Sequence, residues 1–386
     1  MDPVRQRGHR VYVDYNATAP IRPEIREAVE PLLFSGQDFG NPSSVHWAGQ
    51  VARRHLERAR GSVAAQFGVK PSEVLFTSGG TEADNLALFG VMLSPSEAPR
   101  RLVVSAVEHP AVLEPARELR RLGVDVEFVP VTPEGHLDLG VLRRALETPT
   151  RLVSIMAVNN ETGVVHDIET VAQLAHDSGA WVMVDAVQAV GRVALPADLD
   201  LVVVSGHKLG GLKGAGALIK REHVPLRAEV FGGPQERGVR AGTEDVAAVA
   251  SLAWAIELAE ATRASENRRL EPMRDRLQAG LTAMGGVHVI GCDAPRIAGT
   301  TTMVFDDIDG DALLQALDLE GIAASSGSAC SSGSLEPSHV LSAMGIPQDR
   351  ALASVRFSLG WASTEDDIQR ILDVTPALLA RLRASP

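Results

Sequence analysis

Lys208 closes the run Val202-Val203-Val204-Ser205-Gly206-His207-Lys208, directly after an apolar, strand-like segment. A second such segment, Trp181-Val182-Met183-Val184, ends in Asp185, and Gln188 stands three residues beyond it. An amine at a strand end can form a Schiff base with an aldehyde, and a carboxylate nearby can hold a pyridine nitrogen protonated. These are the two protein groups that pyridoxal phosphate chemistry needs. A lysine after a strand can equally be an ordinary surface residue, so its surroundings decide.

Those surroundings supply further candidates. Thr77-Ser78-Gly79-Gly80-Thr81-Glu82 falls between a strand and a helix expected to start around Ala83. Small residues let the backbone approach an anion, and a helix N-terminus offers free N–H groups, so Gly80 and Thr81 read as a phosphate cup or as a plain N-cap. His109 follows the next strand and could stack on a flat ring, shuttle a proton or simply pack. Asn160, in Val158-Asn159-Asn160-Glu161-Thr162-Gly163, is a neutral donor at a strand end or the head of an Asx-turn. Arg356 interrupts the β-like run Ser354 to Gly360; its fork suits a carboxylate, the alternative being an edge-strand arginine facing solvent.

Of the two cysteines, Cys330 is surrounded by ten small residues from Ala324 to Ser334. That composition favours a mobile loop with an accessible thiol, the setting of a nucleophile. Cys292, after Val289-Ile290-Gly291, reads as a strand-end residue without a role.

The elements that must position these groups follow from periodicity. Apolar runs at 74–77, 102–105, 126–130, 152–158, 181–184, 201–204 and 215–219 alternate with amphipathic stretches such as 111–122 and 168–178. Strands apolar along their whole length, separated by helices, predict a largely parallel sheet covered on both faces. Ligands of such sheets gather at the carboxyl ends of the strands, where the candidates lie. The stretch 246–259 reads as a buried helix; a charged helix over 266–281 and strands at 287–290, 300–305 and 355–359 then indicate an α+β body, with a boundary near 260.

The chain has 386 residues, 45% of them hydrophobic, enough for two such bodies. A net charge of −12 argues against direct nucleic-acid binding. Two cysteines exclude a disulfide scaffold, suit a reducing, cytoplasmic setting and cannot build a metal cluster alone. No signal peptide or membrane span is expected.

At these residues the chain resembles the cysteine desulfurases of the class V aminotransferase group. The likeness runs through 12–20, 39–46, 77–85, 108–109, 158–163, 184–188, 205–208, 240–243, 325–330 and 356–360. Ser325-Ser326-Gly327-Ser328-Ala329-Cys330, followed by Leu335-Glu336-Pro337-Ser338, is similar to the long-loop NifS/IscS type rather than the short-loop SufS type. The resemblance implies an α/β pyridoxal-phosphate-dependent transferase fold like that of aspartate aminotransferase. It has a large domain over 15–260 with a mostly parallel seven-stranded sheet, and a small α+β domain over 1–14 and 261–386 carrying the loop 325–334. It implies pyridoxal 5'-phosphate held by Lys208 as Schiff-base lysine, Asp185 at the ring nitrogen, Gln188 at the phenolic oxygen and His109 against the ring. Gly80, Thr81, Ser205 and His207 would bind the phosphate, with Thr243 from the partner subunit of a homodimer. Asn160 and Arg356 would hold the carboxylate of L-cysteine, with Asn41 close by. Cys330 would carry the sulfur as a persulfide to an acceptor, such as an iron–sulfur scaffold or a tRNA-thiolation protein, and could be a transient iron–sulfur ligand. Another class V enzyme, an aminotransferase or selenocysteine lyase, is the alternative. Departures are Leu209 to Gly214, where relatives often read Tyr-Gly-Pro-Lys-Gly, and Val187 in place of a frequent Thr. The chain also ends at Pro386, short of the tail by which some relatives dock a scaffold.

Overall fold

The computed structural model describes residues 10–34, 40–95, 99–326 and 337–384. It opens with β1 (Val11–Tyr12), α1 (Pro23–Phe34) and α2 (Trp47–Gln66). An alternating series follows: β2 (Val74–Thr77), α3 (Gly80–Met92), β3 (Arg101–Ser105), α4 (Pro110–Arg121), β4 (Asp125–Val129), α5 (Leu139–Ala145), β5 (Leu152–Met156), α6 (Ile168–Asp177), β6 (Trp181–Asp185), β7 (Leu201–Ser205) and β8 (Gly216–Lys220). The remainder is α7 (Val246–Thr282), β9 (Val287–Val289), β10 (Thr300–Phe305), α8 (Gly310–Leu319), β11 (Ile322–Ala323), α9 (His339–Ala343), α10 (Gln348–Leu352), β12 (Ser354–Ser358) and α11 (Glu365–Arg383).

The seven expected strands form one sheet in the order β2-β8-β7-β6-β5-β3-β4. All neighbours run parallel except β8, which is antiparallel to both β2 and β7. Strands β3, β5 and β7 are buried from end to end, the consequence of helices on both faces. On one face Leu86, Val91, Leu113 and Leu119 of α3 and α4 pack over Leu102, Met183 and Leu218. On the other, Leu56 and Val63 of α2, Val171 of α6, and Leu252 and Ile256 of α7 cover Val153, Val182 and Val204.

Two helix boundaries differ from expectation. The helices expected at 246–259 and 266–281 are one continuous helix of 37 residues, because the intervening Glu260 to Ser265 contains neither Gly nor Pro to stop it. Its first half serves the sheet, while Leu270, Met273, Leu277 and Leu281 enter a second core with Met303, Phe305, Val355, Phe357 and Ile371. Helix α3 begins at Gly80, not near Ala83. A Cβ on Gly80 would lie 2.9 Å from Cγ2 of Val187, so this glycine serves close packing inside a helical turn.

The second core is built on an antiparallel sheet, β12-β10-β9. The start of the described chain returns to it: β1 pairs in parallel with β11, and Asp14 bridges to Ser358. Among the described residues no helix is long and apolar enough to cross a membrane.

Candidate active site

The register of β6 and β7 sets the centre of the site. Asp185 pairs with Val203, so β7 runs on to Ser205, and a single 3-10 turn (Gly206–Lys208) then delivers Lys208. Lys208, Asp185, Ser205 and His207 line one cavity of about 430 Å³ with Gly80 and Thr81 from the first turn of α3. His109, Asn160, Gln188 and Arg356 complete its wall.

Lys208 Nζ donates to the carbonyl oxygens of Asn16 (2.6 Å) and Ala17 (2.8 Å). Asp185 accepts the Val187 N–H at 2.9 Å. Burial, the largest influence, outweighs that bond and the charge of Lys208 and lifts Asp185 to about 6. Asp84 and Glu108, both buried, are held well above the usual carboxylate range by burial first and by neighbouring carboxyls second. The side of the cavity around Asp185 is therefore short of positive charge.

The cup at the other end has the opposite character. Gly79, at the N-cap of α3, offers no side chain, so the first-turn N–H groups keep their positive end for a ligand. Ser205 Oγ is buried and makes no hydrogen bond among the described residues. A hydroxyl in that state beside a helix N-terminus fits an anion such as a phosphate ester. His207 Nδ1 lies 3.1 Å from Thr18 Oγ1, and burial, then Lys208 and Lys213, take the ring down to about 4.

His109 caps α4: its Nδ1 accepts the Ala111 N–H at 3.1 Å. Burial first, then Lys208 and His339, push it down to about 4, so at neutral pH the proton sits on Nε2 of a neutral ring. The Asx-turn considered for Asn160 belongs to its neighbour: Asn159 Oδ1 accepts the N–H groups of Glu161 and Thr162, both at 3.0 Å. Asn160 lines the cavity, and its carbonyl accepts from Arg356 Nη1 and Asn16 Nδ2, each at 3.0 Å.

Arg356 sits on an edge strand and is nonetheless 2% exposed. Asp14 and Ser325 cover that edge through single bridges, and Nη2 donates to Asp14 Oδ1 at 2.8 Å. Its Nε makes no hydrogen bond among the described residues.

Asn41, expected beside the substrate, is not brought to this cavity, and Thr243, expected to serve the partner subunit, lies outside it. Asn41 is exposed and uses Oδ1 to accept the Ser43 N–H at 2.8 Å. Thr243 is exposed on the loop before α7. That loop is fixed by Glu236, which is buried, has a left-handed backbone (φ 43°), and accepts from Arg60 Nη2 at 2.7 Å and the Phe76 N–H at 2.9 Å. Arg240 of the same loop donates to Glu82 at the cup, 2.7 Å away. Cys330 lies outside the described residues; Cys292 is exposed on a turn after β9.

Sequence reasoning passed over Asn16, Arg192 and Glu161. Asn16 stood inside the run 12–20, but its partners lie up to 342 positions away and leave no local signal. Glu161 is buried next to Asn160, takes a hydrogen bond from Ser338 Oγ, and is pushed up to about 7 by burial against that bond and the charge of Arg356.

Comparison with known proteins identifies the family. The family described as aminotransferase class-V matches residues 11–371. The cysteine desulfurase IscS of Dictyoglomus turgidum is 41% identical over 377 residues, 97% of this chain and 95% of the relative. A solved NifS-like protein superposes with a TM-score of 0.91 at 34% identity, covering 97% of this chain and all of the other. A structure described as SspA in complex with cysteine gives a TM-score of 0.79 at 28% identity, over 90% of this chain and 98% of that one. By its fold and by these matches the chain belongs to the class-V aminotransferase family, among the cysteine desulfurases.

Proposed function

We propose that this protein binds pyridoxal 5'-phosphate in the 430 Å³ cavity and converts L-cysteine to L-alanine, passing the sulfur through Cys330 to an acceptor. The observation that carries the reading is the convergence of Lys208, the buried Asp185 and the uncapped start of α3 on one cavity. The residues fit the cofactor on two independent counts. Ser205 Oγ is a buried hydroxyl without a partner among the described residues, beside free helical N–H groups that suit the phosphate. Asp185, lifted to about 6, is a carboxylate whose burial a protonated ring nitrogen would offset.

When bound, the cofactor supplies the electron sink that makes the substrate Cα proton removable. Lys208 would anchor it through Nζ and, with its amine free, would serve as the base for that proton. Neutral His109 on the cavity wall, with its proton on Nε2, would be placed to hand protons on. Arg356, with Asn160, orients the substrate through its carboxylate, for which the fork of a guanidinium is suited. The Cys330 thiolate attacks the substrate sulfur; the S–S bond forms as the Cβ–S bond breaks, the bonding pair stays with Cβ, and protons delivered to Cβ and Cα complete alanine.

In this reading the enzyme is a cytoplasmic homodimer. Val45, Trp47 and Phe231 are strongly exposed on segments flanking the Glu236 loop, a surface that suits a partner subunit and would place Thr243 at the partner's cup. The acceptor is a protein of iron–sulfur assembly or tRNA thiolation.

Incubation with L-cysteine tests the reading directly. Mass spectrometry should find about one added sulfur on the peptide holding Cys330 and none on that holding Cys292. Cys330→Ser should retain the bound cofactor and lose sulfur transfer. Sulfur on Cys292, or alanine at the normal rate from Cys330→Ser, defeats the proposal.

A further inference from the structure

Arg192 does not line the main cavity; it lies on the far side of Asn16 and Lys208, beside Tyr15, Glu266 and Asn267. Its guanidinium, lowered to about 10 by burial and then by Arg356, remains charged at neutral pH. Nη1 donates to two side-chain carbonyls at once: Oδ1 of Asn16 at 3.0 Å, and Oε1 of Gln188 by a short contact.

Those two bonds determine which way the amides face. An arginine has only donors, so the atoms it meets must be oxygens. On the other side of Gln188 its Nε2 donates to the backbone carbonyl of Asn16 at 2.9 Å, and a carbonyl has only acceptors. Both ends of the Gln188 amide are thereby assigned. One N–H goes to Asn16, and the second N–H is left at the wall of the cavity that Gln188 lines. Asn16 is assigned in the same way: with Oδ1 on Arg192, its Nδ2 donates to the carbonyl of Asn160 and to Thr300 Oγ1, each at 3.0 Å. The Asn16 backbone oxygen is also the closest recorded acceptor of Lys208.

We propose that Arg192 is a positioning residue: by holding the carbonyl oxygens of Gln188 and Asn16 on its own side, it commits a Gln188 N–H to the cavity as a donor. The inference rests on the reading that pyridoxal phosphate binds there with its phenolic oxygen toward Gln188. Without Arg192 only the bond from Gln188 Nε2 to the Asn16 carbonyl resists a turn of the amide, and a turn would present its oxygen, replacing attraction for that anionic atom by repulsion. No other side chain is recorded donating to Gln188 Oε1 among the described residues.

The test uses holoenzyme and reads the pH midpoint of the bound cofactor's visible absorbance. A donor to the phenolic oxygen stabilises its deprotonated form, so losing it moves the midpoint upward, by about half a pH unit or more in Arg192→Met. Removing a positive charge also moves it upward, so the discriminating comparison is with Gln188→Ala. Part of the Arg192→Met shift should vanish in that background. Arg192→Lys keeps the charge and loses the fork; it should shift the midpoint by less when Gln188 is present and not at all in combination with Gln188→Ala. Should the methionine variant fail to fold, the lysine pair decides alone. Equal shifts with and without Gln188, or no shift in either arginine variant, overturn the inference. A wild-type protein that shows no cofactor absorbance after incubation with pyridoxal phosphate would instead refute the reading beneath it.

Discussion

On one side of the cavity Asp185, Ser205 and Lys208 hang from the ends of two adjacent parallel strands, β6 and β7. On the other, Arg356 projects from the middle of an antiparallel edge strand, bridged by Ser325 and bonded to Asp14 and Asn160. The sheet side holds its groups by register within a continuous core. The Arg356 side holds one guanidinium and one buried acid, Glu161, by side-chain bonds to residues far away in sequence. The first arrangement suits a permanently bound cofactor. The second suits a substrate that arrives and leaves, because its partners can exchange a backbone carbonyl for a ligand carboxylate.

The largest loss should therefore come from the sheet side. Lys208→Ala is expected to abolish the absorbance of the bound cofactor and to lower alanine production by about 10³-fold or more. Wild-type turnover in that variant would remove the basis for dividing the cavity in this way. Asp185→Asn should keep the cofactor bound but slow turnover by about 10²-fold, since a neutral amide cannot hold the ring nitrogen protonated. A rate within about twofold of wild type would show that the ring charge is set elsewhere.

Changes opposite should act on substrate instead. Arg356→Lys is expected to raise KM for cysteine about 10-fold to 100-fold with the cofactor spectrum unchanged, because an ammonium cannot bridge Asp14, Asn160 and a carboxylate as a fork does. A change in kcat alone would place Arg356 in the chemistry rather than in binding.

The smallest effect concerns stability. Glu161 is raised from 4.5 to about 7, so between those values the folded state holds a proton that the unfolded chain has released. Its contribution is complete below about pH 4.5 and is lost as pH rises through about 7, a decline of roughly 3 kcal/mol over the window. Glu161→Gln should lack that decline. Melting temperatures of the two proteins should lie close together near pH 5 and separate towards pH 8, with the wild type falling relative to the variant; parallel curves would contradict the assignment.

Much of the sheet side was legible in the chain itself. The apolar runs that end in Asp185 and Ser205 mark strands buried on both faces, and a parallel sheet places their last residues where ligands collect. The Arg356 side was open to two readings, because an arginine within a β-like run has the same local pattern whether it faces solvent or a cavity. Asp14, 342 positions away, decides between them. The Asx-turn shows the same limit at short range: two adjacent asparagines carry identical propensities, and the bonds Asn159 Nδ2 donates to Met156 Sδ and, across the fold, to the Val107 carbonyl hold it in the turn.

By itself, then, the sequence determined the alternation of strands and helices, the strand ends that carry Lys208 and Asp185, and the run of small residues before α3. Periodicity and chain punctuation are local, and these features depend on little else. Tertiary structure alone decided that α7 runs unbroken from one core to the other, that Arg356 is buried at an edge, and that Arg192, outside the cavity, orients Gln188 and Asn16 within it. Each of these depends on which distant side chains meet, and hydrogen-bond donors and acceptors choose their partners only after the chain has packed.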